Sequence, residues 1–220
     1  MPSKNILKEY IQGGYYHVYN RGVEKKKIFK SKQDYIVFLR FLKEYLLPPK
    51  HSDLLELQKI CPRRNPINCY EDIKLLAYCL MPNHFHLFLK QKSEKGLETF
   101  MRALSTNYVM YFNQKYNRVG PLFQSRYKAV YIDNEAYYLH ISRYIHNNPR
   151  ELLARDGPLY KYSFSSYQDY LGKRKCDWLN TKQIIASFKN KRIGINSYQG
   201  FVEEFNEEKD LDDIVDLILE

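Results

Sequence analysis

The sequence predicts an α+β domain built around an antiparallel sheet, and three observations lead to this prediction. Short runs rich in aromatic and β-branched residues alternate with longer segments in which apolar residues recur at helical spacing. Two of the short runs flank the tight turn Met81-Pro82-Asn83, as the strands of an antiparallel hairpin do. The chain of 220 residues is 44% hydrophobic and 15% aromatic, which suffices for one sizeable core.

The first half of the chain predicts three strands, one helix and one insertion. The first strand is a glycine-bounded aromatic run, and the helix after it has Ser31 as its N-cap and ends at Pro48 and Pro49. An irregular insertion with four prolines and little periodicity precedes the two hairpin strands. In chain order, these elements fall within residues 13–22, 31–49, 47–70, 73–80 and 84–91.

The second half predicts a long helix, a fourth strand and a helix that Asp133 or Asn134 caps and Pro149 ends. Two shorter helices follow. In chain order, these elements fall within residues 96–117, 126–132, 133–149, about 181–189 and about 196–219. The order β-α-β-β-α-β followed by a further helix is the ferredoxin-like arrangement, in which helices cover a four-stranded sheet.

Charge divides the chain into a basic body and an acidic end. The formal net charge is +10, yet the last 18 residues hold nine acidic residues and one lysine, which leaves +18 on the first 202. We expect a domain at residues 1–150 and a helical extension at 151–220 that ends in this acidic segment. A body so basic and so rich in tyrosine indicates a polyanionic partner with bases to stack on, and a solvated lysine-rich surface is the alternative.

Other features of the sequence limit the class of protein. No stretch approaches the ~20 apolar residues of a membrane helix, and the start of the chain lacks the apolar core of a secretory signal. The four cysteines show neither CxxC pairing nor zinc-ribbon spacing. We therefore expect no membrane partner, reduced thiols and a cytoplasmic location.

Two histidines in the run LMPNHFHLFLK suggest a metal site. Side chains alternate along a strand, so His84 and His86 share one face while Phe85 takes the other. Two imidazoles placed in this way can bind one divalent metal ion side by side. A core or surface role without a metal is the alternative for so short a pattern.

The helix after the fourth strand carries residues that would complete such a site. Tyr144 and Asn148 are four residues apart and so share one helix face, with His140 one turn earlier. The carbonyl oxygen of Asn148 is a candidate third ligand, and two imidazoles with one amide oxygen suit Mg²⁺ or Mn²⁺ better than structural zinc. Tyr144 is then a candidate nucleophile at the metal, and an ordinary tyrosine of an amphipathic helix is the alternative.

Five motifs follow one another along the chain: YYHVYNRGVEKKKIF, YCLMPNHFHLFLK, VGPLFQSRYKAVYI, YLHISRYIHNNPREL and YSFSSYQDY. They cover most of residues 15–170 and resemble the REP-associated tyrosine transposases, a branch of the single-tyrosine HUH transposases. The His-hydrophobic-His motif of the family falls on His84 and His86. Its tyrosine with an asparagine four residues later falls on Tyr144 and Asn148. The insertion and the acidic end depart from the pattern of the family.

The resemblance implies cleavage and joining of single-stranded DNA beside hairpins formed by palindromic repeats. Tyr144 would attack the scissile phosphate and give a 5′-phosphotyrosine link and a free 3′-OH, with Mg²⁺ or Mn²⁺ held by the two histidines and Asn148. A free tyrosine is mostly protonated at neutral pH, and His140 and His146 are candidate bases. The resemblance further implies a bacterial, nucleoid-associated protein that acts as a monomer or a homodimer.

Several basic and polar residues are candidate DNA contacts. The resemblance assigns Asn20 and Arg21, at the end of the first strand, to shaping the site or contacting DNA, and a turn held by Asn20 is the alternative. Arg126 and Lys128 alternate on one predicted strand and so share a face that can follow phosphates. Arg143 lies on the predicted surface of the tyrosine helix. Arg102 also lies on a predicted helix surface, and a merely solvated side chain is the alternative for Arg102 and Arg143. The basic cluster KNKR at 189–192 suits a hairpin stem.

Two other classes of protein are open at this point. A DNA- or RNA-binding protein that kept the fold without catalysis would not need His84, His86, Tyr144 and Asn148 together. A replication initiator or relaxase would usually carry a third histidine ligand and larger helicase or mobilisation regions, and the sequence indicates neither. We therefore expect a metal-dependent transposase that cuts and rejoins single strands.

Overall fold

A four-stranded antiparallel sheet lies at the centre of the protein. The computed structural model describes residues 10–51, 53, 55, 59–60, 67–153, 157–189 and 197–204. The strands are β1 Tyr15–Arg21, β2 Ile73–Met81, β3 His84–Gln91 and β4 Lys128–Ile132. Their spatial order is β2-β3-β1-β4, and every neighbouring pair is antiparallel. This is the strand order of the ferredoxin-like arrangement, so the predicted fold class is confirmed.

The first face of the sheet carries two helices, α1 Lys32–Leu46 and α2 Gly96–Lys115. The helix α1 begins where the sequence predicts, with a capping box between Ser31 and Asp34. The larger core lies between these helices and the sheet and includes Val18, Phe38, Phe41, Phe85, Leu87, Phe100 and Leu104. Burial of alternate strand residues here fixes which residues face the other side of the sheet.

The opposite face carries α3, Glu135–Asn147, and the segments that follow it. The side chain of Asn134 caps α3 by accepting a hydrogen bond from the amide of Tyr137 at 2.9 Å. The shorter helices are α4 Tyr167–Tyr170, α5 Lys182–Lys189 and α6 Tyr198–Glu203. The second core includes Leu76, Phe88, Ile141, Ile145, Tyr167 and Phe201. The described segments after residue 150 thus share a core with the sheet, and a domain boundary at 150 stays a prediction.

The fourth strand is shorter than the sequence predicts. It begins at Lys128 and not at Arg126, because the chain before it crosses the end of β1, where the amide of Gln124 donates to the carbonyl of Arg21. No helix in the described part of the chain is long and apolar enough to cross a membrane. Outside the described residues lie part of the predicted insertion, most of the basic cluster predicted at 189–192, and residues 205–220, which hold most of the helix predicted at about 196–219.

Gly22 lets the chain after β1 pass close to the hairpin turn between β2 and β3. Its amide donates to the carbonyl of Asn83 at 2.8 Å, and a Cβ at this position would overlap the carbonyl oxygen of Lys26. We expect Gly22→Ala to lower the free energy of unfolding by about 1–3 kcal/mol, because the backbone must shift to relieve the overlap. Urea unfolding of both proteins measures this change. An unchanged midpoint would show that the loop moves aside without cost.

Candidate active site

His84 and His86 lie at the start of β3, on the face of the sheet that α3 covers. His86 is fully buried and His84 is partly exposed, and their ring centroids are 4.9 Å apart with planes at 89°. Phe85 is buried in the core on the opposite face. The two histidines therefore share a face, as strand alternation predicts.

The helix α3 brings two further predicted residues to the histidines. Asn148 follows the last turn of α3, and its Oδ1 lies 3.4 Å from Nε2 of His84. The Nδ2 of Asn148 donates to the carbonyl of Tyr144 at 2.9 Å, which leaves Oδ1 to face the histidine. The ring of Tyr144 stands edge-on to His86, with centroids 5.4 Å apart. The four-residue spacing thus gathers Tyr144 and Asn148 beside both histidines.

The donor set fits a divalent ion bound by two imidazoles and one amide oxygen. Neighbouring ligand atoms that are each about 2.1 Å from an octahedral ion lie roughly 3 Å from each other. The 3.4 Å between Nε2 of His84 and Oδ1 of Asn148 is close to that separation. Among the described residues, no three His, Cys, Asp or Glu side chains form a group that could hold a metal ion. The proposed set of two imidazoles therefore needs the amide oxygen of Asn148 as its third ligand.

Burial keeps His86 neutral. Its pKa lies well below the ordinary value, mainly because burial disfavours the imidazolium, and further because His84, His17 and Arg21 lie near enough to disfavour a second positive charge. A neutral imidazole has the lone pair that a metal ligand requires. His86 is therefore in a protonation state that permits ligation at neutral pH.

A third histidine, His17 of β1, adjoins the pair and was not among the sequence-predicted ligands. Its Nε2 lies 2.9 Å from Nδ1 of His86, and the two buried rings are nearly parallel. The register pairs Tyr19 with His86 and His17 with Phe88, so the two histidines are diagonal neighbours across the strands. The sequence alone shows only that His17 shares a strand face with Tyr19, which does not place it beside His86. The register that brings it to His86 is a property of the sheet and not of any local pattern.

The predicted DNA contacts near the end of β1 and the start of β4 are of two kinds: Asn20 is buried, and Arg126 and Lys128 are at the surface. Asn20 is buried, and its Nδ2 donates at 3.1 Å to a carbonyl of the segment before β4, while its Oδ1 accepts from the amide of Arg21. Arg126 is exposed, and Lys128 places its ammonium 5.3 Å from the centroid of the Tyr19 ring. A shallow pocket at this end of the sheet is lined by Tyr19, Asn20, Arg21, Gln124, Ser125 and Lys128.

Arg143 is an interior residue, which corrects its predicted position on the surface of the tyrosine helix, while its role as a DNA contact stays a prediction. Its side chain is 5% exposed, and its guanidinium lies 4.4 Å from the centroid of the Phe201 ring. One of its terminal nitrogens lies 2.9 Å from Nδ1 of His140. The helix α6 covers the side of α3 that the sequence predicts to be exposed, so Arg143 joins the two helices.

The two candidate bases also lie on the side of α3 that contacts the C-terminal segments. The ring of His140 stands edge-on to Phe201, with centroids 5.7 Å apart. His146 is fully buried, with Nδ1 2.7 Å from the hydroxyl of Tyr198 and Nε2 2.7 Å from the hydroxyl of Ser166. Burial, with a smaller effect of a nearby arginine, lowers the pKa of His146 to about 3. Both ring nitrogens of His146 thus hold α3 in place, which is a structural role.

Comparison with models of known protein families identifies the class of protein as a transposase. The matching model describes IS200-like transposases and spans residues 10–148, which is more than half of the chain. The chain therefore belongs to the IS200-like transposase family. The matched range contains the whole sheet and ends at the last of the four gathered residues, Asn148. A search of curated proteins found no significant match.

Two solved structures resemble this protein. A REP-associated tyrosine transposase bound to a REP hairpin matches with a TM-score of 0.51 and 14% identity, over 81% of this chain and 92% of that chain. A "putative transposase" from Deinococcus radiodurans R1 matches with a TM-score of 0.28 and 16% identity, over 67% of this chain and 97% of that chain. The first match agrees with the strand topology, and the resemblance to REP-associated tyrosine transposases that the motifs indicate is confirmed.

Proposed function

We propose that this transposase cleaves and rejoins single-stranded DNA by direct attack of Tyr144 on a phosphodiester. The proposal depends above all on one observation, that α3 holds Tyr144 against the histidine pair with Asn148 beside it. A hydroxyl next to side chains that suit a divalent ion is an arrangement for nucleophilic catalysis. A tyrosine that only packed would need neither neighbour.

The proposed reaction exchanges one phosphodiester bond for another. The hydroxyl oxygen of Tyr144 bonds to the scissile phosphorus and loses its proton, the bond from phosphorus to the 3′-oxygen breaks, and that oxygen takes up a proton. The products are a 5′-phosphotyrosine link and a free 3′-OH. Because the link retains the energy of the broken bond, a 3′-OH can reverse the step on the same or another strand without a nucleotide cofactor.

His84, His86 and Asn148 are the proposed ligands of Mg²⁺ or Mn²⁺. When bound, such an ion would stabilise the negative charge that develops on the phosphate and the leaving oxygen. Asn148 has a second task, because its Nδ2 also holds the carbonyl of Tyr144. A ligand and the nucleophile are thereby fixed to the same turn of α3, so the position of the helix sets both at once.

The proposed substrate is a single strand that carries a hairpin. The solved transposase with the same fold was bound to a hairpin, and the first 202 residues of this chain carry a formal charge of +18. Arg126 is exposed, and Arg21 and Lys128 are partly exposed beside the shallow pocket at this end of the sheet. Side chains of this kind position a strand by its phosphates and leave the bases to be read elsewhere.

We expect a hairpin with single-stranded flanks to bind more tightly than an unstructured strand of equal length and composition, with affinity that falls steeply as salt rises. Each phosphate contact contributes about 0.7–0.9 to the slope of log affinity against log salt.

Arg126→Ala should lower that slope by the value of about one phosphate contact. Arg102→Ala is the control, since Arg102 is an exposed arginine of α2, which lies on the face of the sheet opposite α3 and the candidate active site. Anisotropy titrations over a salt series measure both variants, and a slope unchanged by Arg126→Ala would contradict its placement.

A covalent-adduct assay tests the proposed function directly. Hairpin oligonucleotides labelled at the 3′ end are incubated with the protein and either Mn²⁺ or EDTA, and the products are separated on a denaturing protein gel. We expect a labelled band that migrates with the protein in Mn²⁺ and is absent in EDTA, because the proposed link joins the protein to the 5′ end of the labelled fragment. Binding without a cut strand or an adduct would indicate a DNA-binding protein without catalysis and would overturn the proposal.

A further inference from the structure

His17 and His86 form a buried pair behind the proposed metal site. Nε2 of His17 lies 2.9 Å from Nδ1 of His86, both side chains are fully buried, and the ring planes are within 16° of each other. Two neutral imidazole nitrogens at this distance share one proton, which one ring donates and the other accepts. The pair therefore has two tautomeric arrangements.

The two arrangements differ in whether His86 can bind a metal ion. When Nδ1 of His86 carries the shared proton, its Nε2 has a lone pair and can act as a ligand. When His17 carries the proton, Nδ1 of His86 is the acceptor, and a neutral His86 then holds its own proton on Nε2, which prevents ligation. Histidine ligands generally donate their second N–H to an acceptor that fixes both the tautomer and the ring orientation.

We infer that His17 is a positioning residue, whose Nε2 accepts the Nδ1 proton of His86 and so keeps Nε2 of His86 ready to bind the metal ion. This inference rests on the proposed function, because that function makes His86 a ligand. The surrounding rings hold the pair in place: Tyr19 stacks on both histidines at centroid distances of 5.0 and 5.8 Å, and Tyr144 stands edge-on to both. His17 therefore cannot turn away from His86 without disturbing the stack that also contacts the nucleophile.

Two substitutions separate the nitrogen atom of His17 from the bulk of its ring. His17→Phe keeps a planar ring in the stack and removes the acceptor, whereas His17→Gln places an amide oxygen near the position of Nε2. We expect Mn²⁺ affinity, measured by isothermal titration calorimetry, to fall about 10–100-fold in His17→Phe and to be largely restored in His17→Gln. In the absence of a metal ion, ¹⁵N spectra of the wild-type imidazoles should show His86 protonated at Nδ1, and His17→Phe should lose this signature.

Phe88→Leu is the control for a loss of packing alone. Phe88 lies on the same face of β3 and packs against Tyr138 with ring centroids 5.1 Å apart, so the substitution should lower stability and leave Mn²⁺ affinity unchanged. Equal Mn²⁺ affinity in His17→Phe and the wild type would overturn the inference, as would a loss in His17→Gln as large as that in His17→Phe. A wild-type protein that bound no Mn²⁺ would be a separate result, since the proposed metal site itself would then fall.

Discussion

Tyr144→Phe is expected to abolish both strand cleavage and the covalent protein–DNA adduct while the fold persists. The substitution removes one oxygen, the proposed attacking atom, and keeps the ring that stands against His86 and His17. Losing one partly exposed hydroxyl costs at most about 1 kcal/mol, the value of an ordinary hydrogen bond. DNA binding should also persist, because the basic surface and the other aromatic side chains are unchanged.

Another tyrosine of α3 supplies the matched control. Tyr137 is partly exposed and lies about two turns before Tyr144, so Tyr137→Phe should cleave as the wild type does. The measurement is the adduct gel with a hairpin labelled at its 3′ end, combined with thermal unfolding of each protein. An adduct of wild-type intensity in Tyr144→Phe would show that a different residue attacks. A cut strand without an adduct in all three proteins would instead indicate attack by water.

Local periodicity predicts which of the candidate side chains share a face of their own element. Alternation along β3 places His84 and His86 on one face, and the four-residue spacing places Tyr144 and Asn148 on one side of α3. The apolar residues of the same elements fix these faces, because a shift of one residue along β3 would move the side chains of one core to the opposite face of the sheet. The grouping of side chains that depends on the period of a single element can therefore be inferred from the sequence.

His17 and Arg143 depend on contacts between elements that are distant in sequence, and their roles could not be inferred in the same way. His17 meets His86 because β1 lies next to β3, as the predicted fold implies, and because the register of the two strands makes these residues diagonal neighbours, which no local pattern gives. Arg143 is buried because α6, much later in the chain, docks on α3 and places Phe201 under the guanidinium. In the sequence, the polar residues on that side of α3 have the pattern of an exposed surface, because nothing local indicates that α6 packs there.

His84→Ala is expected to remove most divalent-ion binding and all detectable cleavage while the fold survives. The imidazole is partly exposed, with Nδ1 2.7 Å from Oδ1 of Asn83 and Nε2 3.4 Å from Oδ1 of Asn148. Each such contact contributes about 1 kcal/mol to stability, which is small beside the roughly 5–15 kcal/mol of a typical folded domain. The effect on the metal is much larger, because the substitution removes a proposed ligand and not merely its support.

The loss of Mn²⁺ affinity in His84→Ala should exceed about 100-fold, since removing only an outer partner of a ligand already costs about 10–100-fold. His51→Ala is the control, an exposed histidine in the short turn Pro49–His51, and it should bind and cleave as the wild type does. Calorimetry with Mn²⁺ and the adduct gel are run on the same preparations. Unchanged Mn²⁺ binding in His84→Ala would mean that the ligand assignment is wrong. Lost binding with cleavage retained would separate the metal ion from the chemistry and leave Tyr144 to act without a bound ion.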